Sequence, residues 1–486
     1  MVTKTPVSPS NQQVMEVVFH PKSVAVFGAS RDTKKESSSG WVGRLVHFGY
    51  KGKLYPINPG ASEIMGLKAY PSIKAIPDEV DYAIVNLPRE MVPGVVQDCV
   101  EKGVKVVHVY SAGFAETGTE EGKKLQDQVK KAITGSNTRL IGPNCIGVYC
   151  PSGGLTFSMD SSKEAGEIAF FTQTGTGGRQ LVSRANARGL RFSKVVSYGN
   201  ALDLGVEDFV EYSATDNETK VILLYVEGLK DGSRFFEAIR RATKVKPVIV
   251  LAAGLTESGA GAAASHTASL AGNQQVWRAF FEQTGAIQVE DFDEAIEQLV
   301  ASLKIPKLTG NKVGLVGRGG GLGVITSDMC ERNGLKVPRF TQEIQKILAT
   351  LTAADSGSTI TNPAEIGFGR EGVSKTYAEG LRVVASDPQI DFVLTFLYPE
   401  MYVVEFGITN WVDGLVNAFL EVNKTMPKPM VVAFVQGQNA DVFKDIGLAG
   451  EHLLRGGIAC FPTIQAATKA VAKLVNYYRF IEANYE

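Results

Sequence analysis

The feature that most constrains the fold is a repeated alternation of short apolar runs, glycine-rich turns and amphipathic stretches. Val24–Phe27, Tyr82–Leu87 and Val104–Tyr110 are rich in Val, Ile and Tyr, which is typical of parallel strands that are buried on both faces. A helical stretch, Met91–Lys102, lies between two of them. Strands that alternate with helices in this way predict an α/β fold built on doubly wound parallel sheets.

The same pattern continues along the 486 residues and predicts three domains. We expect a Rossmann-like domain in residues 1–150 and two flavodoxin-like domains in residues 151–308 and 309–486, with a linker-like stretch at Ile305–Gly310. Phe171–Leu190 and Val316–Leu335 align without gaps at an offset of 145 residues. We interpret them as related units, although any strand-to-helix turn places similar requirements on its residues.

Composition excludes several classes of function. The 50 basic and 51 acidic residues give a net charge of −1, so no basic field favours nucleic acid or an anionic membrane. The five cysteines form no CxxC pair or Cys/His cluster, which excludes a disulfide framework and a cysteine zinc site, and we expect no metal site in this chain. No apolar run reaches the roughly 18 residues of a membrane span. Because residues 1–15 also lack an apolar signal core, we expect a cytoplasmic location.

The first glycine-rich turn follows the strand at Val24–Phe27 and begins with Gly28. Helix N-termini after such turns bind phosphate groups. The turn has no G-x-G-x-x-G pattern, and the next strand ends in Asn58-Pro59-Gly60, where a dinucleotide site would place an acidic residue. The sequence therefore disfavours NAD and leaves coenzyme A, or a tight turn without a ligand, as the alternatives.

One histidine has an unusual setting. His266 lies among small residues in Gly259–Gly272, where a neutral imidazole could act as a nucleophile and carry a phosphoryl group. The alternative is a tightly packed small-residue helix that His266 only caps. Glu227 follows the predicted strand Val221–Val226 and could orient the imidazole from the strand end, unless it is simply an exposed loop residue. Thr174, Gly175 and Thr176 begin the next helix and could hold the phosphate.

Eight short motifs, in the same order along nearly the whole chain, resemble the α subunit of NDP-forming (ADP-forming) acyl-CoA synthetases of the succinyl-CoA synthetase superfamily. They are Gly28-Ala29-Ser30, Tyr55-Pro56-Ile57-Asn58-Pro59, Ser111-Ala112-Gly113-Phe114, Gly142-Pro143-Asn144-Cys145-Ile146-Gly147, Thr172-Gln173-Thr174-Gly175, Ser197–Asp203, Glu227-Gly228 and Ser265-His266-Thr267.

The resemblance implies the chemistry and the roles of the residues. Acyl-CoA and phosphate would give an acyl phosphate, which phosphorylates His266 with Glu227 as its carboxylate partner, before the phosphate passes to ADP or GDP. Thr174 and Gly175 would bind phosphate, and Asn144 and Cys145 would lie near the thioester. Coenzyme A would be bound by Gly28, Ala29, Ser30, Arg31, Pro59, Asn86, Leu87, Pro88, Ser111, Ala112 and Gly113. Gly60 replaces a lysine that is usual in the family, and Lys53 or Arg31 could compensate for it.

The resemblance also implies a partner. No Walker A motif follows Gly310, so we expect a separate β subunit with an ATP-grasp domain, in an α2β2 assembly, that binds Mg²⁺ with the nucleotide. The acid substrate and the choice between ADP and GDP stay open. The alternative from another class is a non-catalytic regulatory protein that binds CoA or acyl-CoA and does not use His266.

Overall fold

The computed structural model describes residues 10–29, 40–259, 261, 273–351, 359–366, 373–405, 407, 410–435, 437 and 439–485. Contacts among them divide the chain into two compact units. The first unit lies within Met1–Asn186 and Arg191–Glu290, and the second comprises Ala187–Leu190 and the part of Asp291–Glu486 that the structure describes.

The first unit begins with a five-stranded parallel sheet, whose strand order is β2-β1-β5-β6-β7. The strands β1, β5 and β6 are buried along their whole length, as the apolar runs predict for a sheet covered on both faces. The elements are α1 (Asn11–Phe19), β1 (Ser23–Phe27), α2 (Gly40–Phe48), β2 (Lys53–Ile57), β3 (Glu63–Ile64), β4 (Leu67–Lys68), β5 (Tyr82–Val85), α3 (Val92–Lys102), β6 (Val106–Val109), α4 (Glu120–Ile133) and β7 (Arg139–Ile141).

A second sheet in the same unit has the strand order β13-β12-β11-β9-β10-β8. Its strands are parallel except for β8, which pairs antiparallel with β10 at one edge. The elements are β8 (Gly147–Tyr149), β9 (Ile168–Thr172), α5 (Gly175–Ala187), β10 (Phe192–Ser197), α6 (Val206–Thr215), β11 (Val221–Val226), α7 (Gly232–Thr243), β12 (Val248–Ala252), α8 (Gln274–Thr284) and β13 (Ile287–Gln288).

The second unit contains a five-stranded parallel sheet of order β15-β14-β16-β17-β18. Two short π-helical segments, Met401–Glu405 and Val412–Val416, follow β16. The elements are α9 (Phe292–Lys304), β14 (Val313–Gly317), α10 (Gly320–Arg332), α11 (Gln342–Leu351), β15 (Ala364–Glu365), α12 (Val373–Ala385), β16 (Phe392–Leu397), α13 (Asn417–Asn423), β17 (Met430–Phe434), α14 (Ala440–Arg455), β18 (Ala459–Phe461) and α15 (Ile464–Tyr485).

The internal repeat has a structural counterpart. Each of the two aligned segments covers the end of a five-residue strand, a two-residue turn and a thirteen-residue helix that begins with glycine, β9-α5 in one and β14-α10 in the other. The α/β fold class with several largely parallel sheets is therefore confirmed. The domain boundaries at 150 and 308 stay predictions, since β8 precedes residue 150 but joins the second sheet, and α9 packs against α15 in the second unit.

In the described part of the chain, no helix is both long enough and apolar enough to cross a membrane.

Candidate functional site

Those residues predicted to bind coenzyme A that the structure describes come together at one edge of the first sheet. Each follows the carboxyl end of β1, β2, β5 or β6, and the carboxyl ends of parallel strands form the binding edge of an open α/β sheet. Gly28 has a φ of +76°, and a Cβ atom there would lie 2.1 Å from the carbonyl oxygen of Asn86. The turn after β1 therefore needs glycine, because it touches the backbone that leaves β5.

Side chains tie these loops to each other. The Ser111 hydroxyl donates to the Leu87 carbonyl oxygen at 2.5 Å and accepts the Leu87 N–H at 3.2 Å. The Asn58 amide donates to the Ala29 carbonyl oxygen at 2.7 Å. Ala29 and Ser111 are buried, Asn86, Leu87 and Gly113 are half-buried, and Pro59, Pro88 and Ala112 are exposed. The edge thus has a fixed backbone with exposed loop tips, while Ser30 and Arg31 lie outside the described residues.

The idea that Lys53 replaces the missing lysine near coenzyme A is wrong. Lys53 begins β2 at the opposite, amino-terminal edge of the sheet, and its ammonium group pairs with Asp78 at 2.8 Å. A different cation, which none of the sequence motifs includes, lies at the predicted coenzyme A edge. Arg89 directly follows Pro88, donates to the Gly113 carbonyl oxygen at 3.1 Å, and pairs with Glu90 and Glu121.

Asn144 and Cys145 follow β7, and they differ in accessibility. Asn144 adopts a left-handed conformation with a φ of +59°. Its N–H donates to the Ser111 carbonyl oxygen at 2.9 Å, and its amide contacts Asn200 at 3.4 Å. Cys145 is 4% exposed, and burial raises the pKa of its thiol. Cys145 is therefore a protonated core thiol at neutral pH, whereas Asn144 joins the two sheets of the unit. His108 is also a core residue with 1% exposure, and burial lowers its pKa to about 4.

The predicted phosphate turn lies between β9 and α5. The Thr172 hydroxyl accepts the Thr174 N–H at 3.1 Å, and the Thr174 hydroxyl accepts the Gly177 N–H at 3.4 Å. A Cβ atom at Gly175 would lie 3.0 Å from the Ile146 side chain. Thr174 and Gly175 are half-buried and Thr176 is exposed. The first turn of α5 is thus a compact helix N-terminus, the kind of site that favours an anion.

Glu227 lies beside this turn. It follows β11, which pairs with β9 so that Tyr225 lies opposite Thr172. The Gln173 side-chain oxygen accepts the N–H groups of both Glu227 and Gly228, the latter at 3.0 Å. Glu227 is only 6% exposed, so the alternative of an exposed loop glutamate is wrong. The structure brings the predicted carboxylate and the predicted phosphate turn together at adjacent strand ends.

A cleft of about 430 Å³ adjoins Glu227. Gln173, Tyr198, Asn200 and Gly228 contribute to its walls, together with the start of α6. The Asn200 amide donates to Glu116, and also to Gln126 at 3.0 Å, so the cleft lies between the two sheets of the first unit. No local sequence pattern marks this cleft, because its walls come from segments that only the tertiary fold brings together.

His266 lies outside the described residues, but the described residues before it show where the chain leaves the sheet. β12 is the neighbour of β11, and after β12 the Ala253 N–H donates to the Val226 carbonyl oxygen at 2.8 Å. The chain therefore leaves the sheet next to Glu227 on its way to the glycine- and alanine-rich segment. Within the described ranges, no group of three or more His, Cys, Asp or Glu side chains could hold a metal ion.

The corresponding glycine-rich turn of the second unit is arranged differently. Before α10, the Gly319 N–H donates to the Glu365 carboxylate at 2.9 Å. A carboxylate of the protein itself therefore occupies the anion-binding end of this helix. The two related strand-turn-helix units do not offer the same site.

Comparisons with known proteins agree with this architecture. Residues 22–151 match the model of a CoA binding domain, and residues 165–301 match that of a succinyl-CoA ligase like flavodoxin domain. The α subunit of acetate–CoA ligase [ADP-forming] I from Pyrococcus furiosus is 35% identical over 96% of this chain and 98% of its own length. The α subunit of isoform II from the same organism is 35% identical over 89% and 92%.

A solved structure is similar over its whole length. Acetyl-coenzyme A synthetase 1 of Ca. Korarchaeum cryptofilum, in complex with phosphate and ADP, superimposes with a TM-score of 0.85 at 29% identity, and the match covers 97% of this chain and 99% of that one. These features define a CoA ligase architecture, in which a CoA-binding domain precedes a succinyl-CoA ligase-like flavodoxin domain. The chain belongs to the family of ADP-forming acetate–CoA ligase α subunits, which are acid–thiol ligases.

Proposed function

We propose that this chain is the α subunit of an NDP-forming acyl-CoA synthetase that works through an acyl phosphate and a phosphohistidine at His266. The observation that carries the proposal is the buried Glu227 carboxylate beside the N-terminal turn of α5. A carboxylate next to an anion site suits a histidine that must be oriented while it receives a phosphoryl group.

The proposed reaction has three steps. Phosphate attacks the thioester carbonyl, and the acyl phosphate forms as CoA leaves. The His266 imidazole then attacks phosphorus, and the carboxylic acid leaves as its carboxylate. Finally the phosphoryl group passes from His266 to ADP or GDP, which regenerates the free imidazole and gives the nucleoside triphosphate.

The candidate site residues that the structure describes have distinct roles in this scheme. The loops at the carboxyl edge of the first sheet, from Gly28 to Gly113, bind coenzyme A. Asn144 holds the thioester end near the junction of the two sheets. Thr174, Gly175 and Thr176 bind phosphate through N–H groups and hydroxyls. Glu227 accepts a ring N–H of His266 and so leaves the other ring nitrogen as the nucleophile.

The last step needs a nucleotide site on another polypeptide. The two relatives from Pyrococcus furiosus are both named as α subunits, and we propose a β subunit with an ATP-grasp domain in an α2β2 assembly. Mg²⁺ would bind there with the nucleotide and neutralise its phosphate charge.

The release of coenzyme A tests this proposal. The chain, with and without its partner subunit, is mixed with a panel of acyl-CoAs that includes acetyl-CoA, and free thiol is measured in the presence and absence of phosphate. A synthetase releases CoA only with phosphate. A regulatory protein that only binds acyl-CoA releases none, and that result would favour the alternative function.

A further inference from the structure

The cleft of about 430 Å³ between the two sheets of the first unit has no role in the proposed reaction, although it lies beside the residues proposed to carry that reaction. Gln173 and Asn200 both line it. Gln173 directly precedes Thr174 of the phosphate turn, and Asn200 accepts the side-chain amide of Asn144 at 3.4 Å. An acyl group whose thioester lies at Asn144 therefore has this cleft next to it.

One wall of the cleft carries a hydrogen-bond donor that the described part of the chain does not use. Tyr198 follows β10 and is 1% exposed, and its buried hydroxyl has no hydrogen-bond partner among the described residues. Burial, followed by the negative charges of Glu207 and Glu227, raises the pKa of this phenol well above its ordinary value, so the hydroxyl keeps its proton. Buried hydroxyl groups are normally paired, because an unpaired one costs free energy. A polar atom of a bound ligand would supply the missing partner.

The charges of the cleft disfavour a ligand that carries its own carboxylate. Two of the acidic side chains are already neutralised, since Arg139 pairs with Asp203 at 2.8 Å and Arg234 pairs with Asp208 at 2.7 Å. The other charged side chains among the described residues that line the cleft are two acids and one base, Glu207, Asp231 and Lys230. No positive charge is in excess, whether or not the buried Glu207 holds a proton.

The size and the apolar walls of the cleft indicate an extended ligand. Its volume lies within the range of about 300–1,000 Å³ that is usual for small-molecule pockets, and an acetyl group would fill only a small part of it. Ala115, Val206 and Leu229 contribute apolar surface, against which methylene groups or a ring can pack.

We propose that this cleft binds the acyl group of the substrate and selects an extended, uncharged acyl chain with a hydroxyl or carbonyl oxygen, which accepts a hydrogen bond from Tyr198. The inference rests on the proposed function, because it takes the thioester to lie at Asn144. Tyr198 contacts the acyl chain and not the phosphate, so it determines specificity and takes no part in phosphoryl transfer.

The test uses three thioesters with acyl chains of the same carbon number, namely hexanoyl-CoA, 6-hydroxyhexanoyl-CoA and adipoyl-CoA. Their acyl chains end in a methyl group, a hydroxyl group and a carboxylate. Phosphate-dependent release of CoA is measured with the chain and its partner subunit, and acetyl-CoA is included as the short thioester. We expect kcat/KM to be about tenfold higher for 6-hydroxyhexanoyl-CoA than for hexanoyl-CoA, since the latter leaves the Tyr198 donor unpaired, and lowest of the three for adipoyl-CoA.

Two tyrosine variants connect this preference to the cleft. Tyr198→Phe removes the donor and should abolish the preference for the hydroxyl group. Tyr82→Phe is the matched control, because the Tyr82 hydroxyl is also buried without a partner in the described structure, whereas Tyr82 begins β5 and does not line the cleft. Neither substitution removes a hydrogen bond seen in the described structure, so we expect both variants to fold, and Tyr82→Phe should keep the wild-type preference.

The results that contradict the acyl site differ from those that contradict the proposed function. A preference that survives in Tyr198→Phe, a wild type that lacks the preference or favours adipoyl-CoA, or release of CoA from acetyl-CoA and from none of the three longer thioesters would overturn the inference alone. If no acyl-CoA releases CoA in the presence of phosphate, the proposed function itself fails and the acyl site fails with it.

Discussion

A pair of glycine substitutions tests how the first sheet builds its ligand edge. Gly28 and Gly103 have nearly the same left-handed backbone, with φ values of +76° and +79°. Gly103 ends α3 at the opposite edge of the sheet, and an added Cβ atom there meets nothing within 4 Å. At Gly28 the same atom would lie 2.1 Å from the Asn86 carbonyl oxygen. The two alanine variants therefore share the backbone strain and differ in the clash.

The backbone strain and the clash set the expected losses in stability and in CoA affinity. The left-handed conformation costs an alanine about 1–2 kcal/mol. We expect Gly103→Ala to lower the free energy of unfolding by this amount and no more. Gly28→Ala must also move the backbone of Asn86, and overpacking of this kind adds about 1–3 kcal/mol. Because that backbone lines the proposed coenzyme A site, we expect Gly28→Ala to weaken CoA binding at least about tenfold, or 1.4 kcal/mol.

Two measurements on the full chain check this prediction. Urea unfolding gives the stability of each variant, and calorimetric titration gives its affinity for CoA. Gly103→Ala should bind CoA as the wild type does. Equal stability of the two variants would refute the clash, and wild-type CoA affinity in a destabilised Gly28→Ala would refute the location of the ligand edge.

Two further predictions concern a buried charge and the phosphate turn. Lys194 is fully buried and pairs with Asp216, so Lys194→Met should cost about 3–5 kcal/mol in urea unfolding, and Asp216→Leu added to it should recover part of the loss. Burial acts to raise the pKa of Asp216, but hydrogen bonds from Lys194 and Thr219 outweigh it and hold the pKa below its ordinary value. The pair therefore contributes its full stability above the ordinary aspartate pKa and loses it as the pH falls through the lower pKa of the folded state, where wild type and variant should converge. Thr174→Ala should raise the KM for phosphate about tenfold, since a hydrogen bond to a charged group is worth about 1.5–3 kcal/mol. The control Thr174→Ser keeps the hydroxyl and should have the wild-type KM. Equal KM values in the two variants would contradict the role of the hydroxyl.

Much of the fold follows from local pattern in the sequence. The apolar run Val221–Val226 is predicted and observed with the same bounds, because a buried parallel strand shows its limits in composition. The antiparallel strand β8 was not predicted, since an edge strand of three residues carries little periodic signal and depends on its partner β10.

The candidate site was predicted only as separate strand ends. The glycines and the charged Glu227 stand out in the sequence, and the rule for parallel sheets places each at the carboxyl edge of its own sheet. The hydrogen bond between Glu227 and Gln173 depends on the pairing of β9 with β11, which no local pattern specifies. Lys53 seemed available near coenzyme A because it is close to Gly60 in the sequence, although its position at the start of β2 takes it to the opposite edge of the sheet.

The most direct test of the phosphohistidine route is the intact mass of the chain after incubation with acyl-CoA and phosphate, alone and with the partner subunit. We expect the gain of one phosphoryl group, about 80 Da, that is labile in acid, stable in base and lost on addition of ADP with the partner. His266→Ala should show no gain, while His452→Ala, a substitution in α14 of the second unit, should be labelled as the wild type is. A phosphoryl group that persists in His266→Ala, or its absence from the wild type under both conditions, would contradict the phosphohistidine route.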